Sequence, residues 1–118
     1  MPRYVPKEGD FVALSFDPQS GHEQKGRRPA LVISRALFNK HTGMAMACPI
    51  TNTFRRSPFH VKIPEGSSVK GYIMVEQIKS LDYISRNIKF IERAPRATLD
   101  EVLSVLDPCL YPPNRADA

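Results

Sequence analysis

Residues 11–34 read FVALSFDPQSGHEQKGRRPALVIS, two apolar runs held apart by a polar stretch. Phe11–Phe16 and Pro29–Ser34 have the composition of strands and are bounded by breakers: Gly9, Asp17-Pro18 and Pro29 itself. A hairpin needs only ~2 to 5 connecting residues, yet about a dozen lie here, among them His22, Glu23, Lys25, Arg27 and Arg28. A loop so long and so charged between two strands predicts a functional segment carried on a β scaffold.

Working outward, the same pattern continues. After the turn-like Asn39-Lys40-His41-Thr42-Gly43, alternation from Met44 sets Met44, Met46, Cys48 and Ile50 on one face and Ala45, Ala47, Pro49 and Thr51 on the other. Pro49 cannot donate to a ladder, which predicts a bulge or an end to that strand. Residues 52–58 form a second polar loop with Arg55 and Arg56, followed by strands over Phe59–Ile63, Gly71–Ile78 and Ile88–Ile91. Helix is expected only at the end. Thr98 and Glu101 have capping-box spacing, Leu99, Val102, Leu103 and Leu106 follow at helical period, and Pro108 ends the pattern.

At 118 residues the chain is expected to form one domain over 1–111, with a loose tail over 112–118, small enough to gain from a partner subunit. Cys48 and Cys109 have neither metal-ligand spacing nor the density of a disulfide scaffold, so reduced thiols are expected. No apolar run reaches the ~18 to 20 residues of a membrane span, and the first residues lack a signal-peptide core; a cytoplasmic protein is the expectation. The net charge of +5 is segregated: residues 20–62 hold eight Lys or Arg, all three histidines and one acid, Glu23. Residues 100–118 reverse the sign, with Asp100, Glu101, Asp107 and Asp117 against Arg115. A basic face of this kind suits a polyanion such as nucleic acid, or serves only solubility.

The blocks Gly9-Asp10, Phe16-Asp17-Pro18, Gly21-His22-Glu23-Gln24, Gly26-Arg27-Arg28-Pro29-Ala30-Leu31-Val32, Phe38-Asn39, Pro49-Ile50-Thr51 and Glu76–Asp82 together resemble the MazF/PemK toxins of bacterial toxin-antitoxin systems, over nearly the whole chain. The resemblance implies a mainly β fold, a small SH3-like β-barrel with helical additions that include a C-terminal helix. It implies a homodimer that cuts single-stranded RNA without metal or other cofactor, silenced by an acidic, MazE-like antitoxin. It also implies roles: Arg28 as the central catalytic arginine and Thr51 as its partner.

Cleavage without metal requires the ribose 2′-hydroxyl to attack the neighbouring phosphate, so a site must take one proton, give another and stabilise a highly charged phosphorane. Arginine's planar fork suits two phosphate oxygens, and a threonine hydroxyl adds a donor. Stabilisation by fixed donors is usually the largest catalytic term. A guanidinium with pKa above ~12 is a poor acid, which leaves Glu23 and His22 for proton transfer. Glu76 matches the acid of an acid-arginine pair in one branch of the family, but Met74 stands where that branch has arginine; Glu76 is thus a base, a base-reading group or a structural acid. Candidate RNA contacts are Lys25, Arg27, Arg55, Arg56 and Lys79 for phosphates, Phe54 for stacking, and Asn52 and Gln77 for base edges. His41 and His60 are expected on turn and strand surface. Two readings compete with the ribonuclease: a toxin of the same fold aimed at a protein, as in CcdB-type gyrase inhibitors, which depend on a C-terminal tryptophan that this chain lacks, and a catalytically silent RNA-binding module.

Overall fold

The computed structural model describes residues 3–16 and 27–112. Its elements are β1 (Asp10–Ser15), β2 (Arg27–Val32), α1 (Ala36–Thr42), β3 (Met44–Thr51), β4 (His60–Lys62), β5 (Tyr72–Met74), a 3₁₀ turn (Val75–Gln77), β6 (Lys79–Asp82), β7 (Lys89–Arg93) and α2 (Arg96–Leu110). The strands form one antiparallel sheet in the order β4-β5-β3-β2-β1-β7, with β6 also pairing β3. The expected mainly β fold with a C-terminal helix is what forms. No pairing joins β4 to β7 among the described residues, so the barrel-like sheet is curled rather than closed.

The central strands are buried on both faces, which explains their nearly continuous apolar runs. Phe11, Leu31, Cys48 and Ile50 join Val61, Ile73 and Val75 in one cluster, capped by Leu99 and Val102 of α2. Their chain neighbours Val12, Val32 and Ala47 turn the other way and pack with Leu14, Ala30, Ala45, Leu81 and Tyr83. The alternation expected in β3 is therefore correct, with Ala45 and Ala47 in one core and Cys48 and Ile50 in the other. No helix among the described residues is long and apolar enough to cross a membrane.

Several local expectations fail. Pro49 neither bulges nor ends β3: β6 pairs as far as Ala47 and β5 begins at Ile50, so the proline occupies the gap between two outer partners, where a missing N–H costs least. A helix, α1, replaces the expected turn at 39–43. It lacks a capping side chain and is held instead by Asn39, fully buried, which donates through Nδ2 to the carbonyls of Pro6 (2.8 Å) and Ser34 (3.0 Å). Residues 71–78 are not one strand, since the chain turns at Val75–Gln77 to carry β6 to the other half of β3.

The capping box does not form, because α2 starts at Arg96 with Pro95 in the N-cap position and Thr98 buried in the first turn. Pro108 lies within α2 rather than ending it; the carbonyl it leaves unpaired belongs to Ser104, which is exposed to water. The last expected strand is shifted to Lys89–Arg93, and Arg27 and Arg28 lie in β2 rather than in the loop. Asp10 ties the N-terminal segment down, accepting from Tyr4 Oη (2.5 Å), Lys7 N (3.1 Å) and Arg93 Nη1 (2.9 Å). Burial first, and then this hydrogen bond, push the Tyr4 phenol far above its usual range.

Candidate nucleic-acid interface and cleavage centre

Strand register assembles the site. Pairs Val32↔Ala47, Leu31↔Cys48 and Ala30↔Pro49 join β2 to β3, and Arg28 and Thr51 each lie two residues beyond the last of them, at the same end of the two strands. Thr51 pairs with Tyr72 across β3 and β5, and Tyr72 pairs with Lys62 across β5 and β4. Directly opposed residues share a face of the sheet, so an aliphatic hydroxyl, a phenol and an ammonium stand in one row across three strands, with the Arg28 guanidinium on the neighbouring strand β2. Ile73 and Val61, one residue away, face the core instead.

The two adjacent arginines have different fates. Arg27 spends its guanidinium on backbone carbonyls, donating to Ala13 O (3.0 Å), Asn87 O (3.1 Å) and Arg86 O (3.3 Å). Arg28 alternates to the opposite face, is exposed, and makes no hydrogen bond or ion pair to another described residue. Of the pair, Arg28 has donors to offer an anion. Thr51 is half-buried and its Oγ1 accepts from the backbone N–H of Thr53 (3.2 Å), which fixes the rotor and leaves its own proton to donate.

The expected residues His22, Glu23 and Lys25 lie outside the described residues; their loop departs beside Phe16 and returns at Arg27, so both of its roots adjoin Arg28. Lys79 stands with its ammonium 6.0 Å from the centroid of the Phe16 ring, just past β1, although β3 and β2 separate β6 from β1 in the sheet. Curling thus brings the Lys79 cation over the root of the 17–26 loop. Asn52 is exposed and helps to line a pocket of about 490 Å³ with Arg27, Arg28, Pro29, Val69 and Lys70. Phe54, Arg55 and Arg56 are exposed beside a second pocket of about 500 Å³, also lined by His60, Lys62 and Tyr72. Gln77 ends the 3₁₀ turn, exposed. Among the described residues no three of His, Cys, Asp and Glu gather closely enough to hold a metal ion.

His60 is a correction. Expected on the strand surface, its side chain is only 4 % exposed, and Nε2 lies 3.1 Å from Glu76 Oε2, a contact that needs the proton on Nε2. Its Nδ1 is buried and has no partner among the described residues. Glu76 also lies near enough to Cys48 to act on it: burial, and secondarily this carboxylate, push the Cys48 thiol up to about 12. Sequence reasoning missed His60, Tyr72, Lys62 and Phe16. Their only signal is register, which places His60 opposite Met74 and so within reach of the next turn.

Residues 7–110 match the family of PemK-like, MazF-like toxins of type II toxin-antitoxin systems. Among relatives, the endoribonuclease toxin MazF of Escherichia coli K12 is 39 % identical over 84 residues, covering 71 % of this chain and 75 % of its own. A crystal structure of MazF from Deinococcus radiodurans is 44 % identical and superposes with a TM-score of 0.82, covering 92 % of this chain and 98 % of the other. A MazE-MazF crystal structure from the same organism is 38 % identical, with a TM-score of 0.81 over 92 % of this chain and 97 % of that one.

Proposed function

The chain belongs to the PemK-like, MazF-like toxin family of type II toxin-antitoxin systems, and we propose that it is the endoribonuclease toxin of such a pair, acting in the cytoplasm on single-stranded RNA. The observation that carries this reading is that Arg28, exposed, and Thr51 lie at the same end of the paired strands β2 and β3. The ribose O2′ attacks the adjacent phosphorus and loses its proton to a base. The bond from phosphorus to O5′ breaks as that oxygen takes up a proton, leaving a 2′,3′-cyclic phosphate and a 5′-hydroxyl. Arg28 holds two phosphoryl oxygens of the phosphorane through its fork, and Thr51 donates to the same group. Glu76 is engaged with His60, which favours a structural or positioning part for it and leaves proton transfer to Glu23 and His22. Charges of Lys79, Arg55 and Arg56 hold phosphates to either side.

The working form is a homodimer, as a small domain with exposed Leu103 and Leu110 on α2 favours. Its antitoxin is acidic and covers the same basic surface. Incubating the purified protein with mixed-sequence RNA in chelator and mapping the ends tests the activity. Discrete cuts with cyclic-phosphate and 5′-hydroxyl ends are expected. RNA bound but uncut would instead leave a silent binding module, and RNA neither bound nor cut would direct the search to a protein target.

A further inference from the structure

Resting on the reading that the protein acts on single-stranded RNA, we propose that the strand crosses the sheet along the Arg28–Thr51–Tyr72–Lys62 row, perpendicular to the β-strands. Lys62 then holds a phosphate beyond the nucleotide that neighbours the scissile bond, and that nucleotide's base occupies the pocket beside Tyr72.

Three independent observations converge. From Thr51 through Tyr72 to Lys62 the row spans two inter-strand spacings, about 10 Å at ~4.8 Å each, and Arg28 lies on β2, beyond Thr51, so the Lys62 stem starts too far from Arg28 to share its phosphate and is placed for a later one. Between them lies Tyr72, whose ring packs against Phe54 at 5.5 Å between centroids and 55° between planes, while Phe54 is 64 % exposed. Two aromatic rings held together at the surface of a soluble domain, one of them largely bare, form a stacking platform that is sequence-tolerant because every base has a π-face. Finally, this platform walls a pocket of about 500 Å³, within the range of small-ligand sites, whose other walls are the cations Arg55, Arg56 and Lys62 and the buried imidazole of His60. His60 also brings a ring nitrogen, Nδ1, that makes no hydrogen bond among the described residues. An apolar platform ringed by cations is complementary to a nucleotide, and its direct continuity with Arg28 through Thr51 makes RNA its occupant.

The test uses the full-length protein and a set of short RNAs containing the mapped cut site, each blocked by a 2′-deoxyribose at the cut and bearing a single uncharged methylphosphonate at one position. Binding is measured for the parent and for Lys62→Ala, whose exposed side chain can be removed without touching the core. In the parent, one methylphosphonate displaced from the cut by a nucleotide or more weakens binding several-fold. In Lys62→Ala that single penalty disappears while all others remain, and the salt dependence of log K falls by a slope of about 1. Phe54→Ala and Tyr72→Leu weaken binding roughly 5- to 100-fold, and replacing the neighbouring nucleotide by an abasic one abolishes the difference between them and the parent.

Position-by-position penalties that are identical in the parent and Lys62→Ala overturn the track, even if the protein cuts RNA well. So does a Lys62→Ala protein that loses affinity for an acidic antitoxin peptide but none for RNA, which assigns the pocket to the peptide. A parent that neither binds nor cuts RNA overturns the underlying functional reading, and this inference with it.

Discussion

Gly71→Ala joins stability to the cleavage centre and can be worked out from the backbone alone. Gly71 has φ +118, and a Cβ built there would lie 2.3 Å from Thr51 O, 3.0 Å from Thr51 C and 3.3 Å from Asn52 Oδ1. The first two are backbone atoms of the strand end that presents Thr51, so no side chain can rotate away to relieve the contact. Gly43 supplies the control: it also has positive φ (+75), at the C-cap of α1, but a Cβ there meets nothing within 4 Å. Gly43→Ala therefore carries only the left-handed backbone penalty of about 1–2 kcal/mol. Gly71→Ala carries a penalty of that kind plus the displacement of β3 from β5, for a total of about 4 kcal/mol or more, the range reserved for identifiable steric or packing failures. At roughly 4 °C per kcal/mol for a domain of this size, the expected fall in Tm is about 4–8 °C for Gly43→Ala and at least ~15 °C for Gly71→Ala. Thermal unfolding should be run at equal protein concentration, since association shifts apparent stability, with cleavage assayed at a temperature where both variants are folded. Gly71→Ala should lose cleavage per folded molecule; Gly43→Ala should not. Equal Tm values for the two variants would refute the close approach of residue 71 to Thr51. A strongly destabilised Gly71→Ala with parental cleavage per folded molecule would remove Thr51 from the centre.

Arg28→Ala should abolish RNA cleavage with Tm changed by no more than ~0.5 kcal/mol equivalent, because its side chain is exposed; Thr51→Ala should lose less, and parental rates for Arg28→Ala would sink the mechanism. Glu76→Ala should cost about 1–3 kcal/mol in urea unfolding by leaving the His60 imidazole without its partner, whereas Glu76→Gln, which can still accept from Nε2, should cost less; equal costs would argue against that contact. Because burial, and secondarily Glu76, push the folded Cys48 thiol from its ordinary 9.0 up to about 12, the native state resists its ionisation: this contribution is intact below pH 9 and is lost as pH rises toward 12, by up to ~1.4 kcal/mol per pH unit. Urea titrations across that window should show a shallower alkaline decline for Cys48→Ala. Arg55→Glu with Arg56→Glu should weaken both RNA and an acidic antitoxin segment, with RNA binding falling more steeply in salt; antitoxin affinity unchanged in the reversed protein would show that the two do not share this loop.

Much of the scaffold could be read locally. Alternation assigned the two faces of β3 correctly, apolar runs located β1 and β2, and helical spacing located α2. What failed were features held by distant partners. The seven residues of α1 have no side-chain N-cap, and the helix is stabilised by Asn39 bonding to Pro6, 33 positions away. The turn after Met74 serves to move the chain from one half of β3 to the other, a requirement that is invisible in residues 71–78 themselves. Thr98 has the right spacing for a box but sits in a turn already started from Pro95, where burial against the core decides its place.

The same division runs through the site. By itself the sequence determined which groups are present: a basic middle third, Arg28 within Gly26–Val32, Thr51 at the end of an apolar strand, and no tryptophan. Side-chain type and strand period are local properties, so one chain suffices to read them. Only the tertiary structure decided which groups act together. It committed Arg27 to three carbonyls while turning Arg28 outward, buried His60 against Glu76, and aligned Thr51 with Tyr72 and Lys62. The physical reason is register. Which residue faces which across a sheet depends on the offset between strands, and that offset is set by the packing of both cores at once, not by any stretch of residues taken alone.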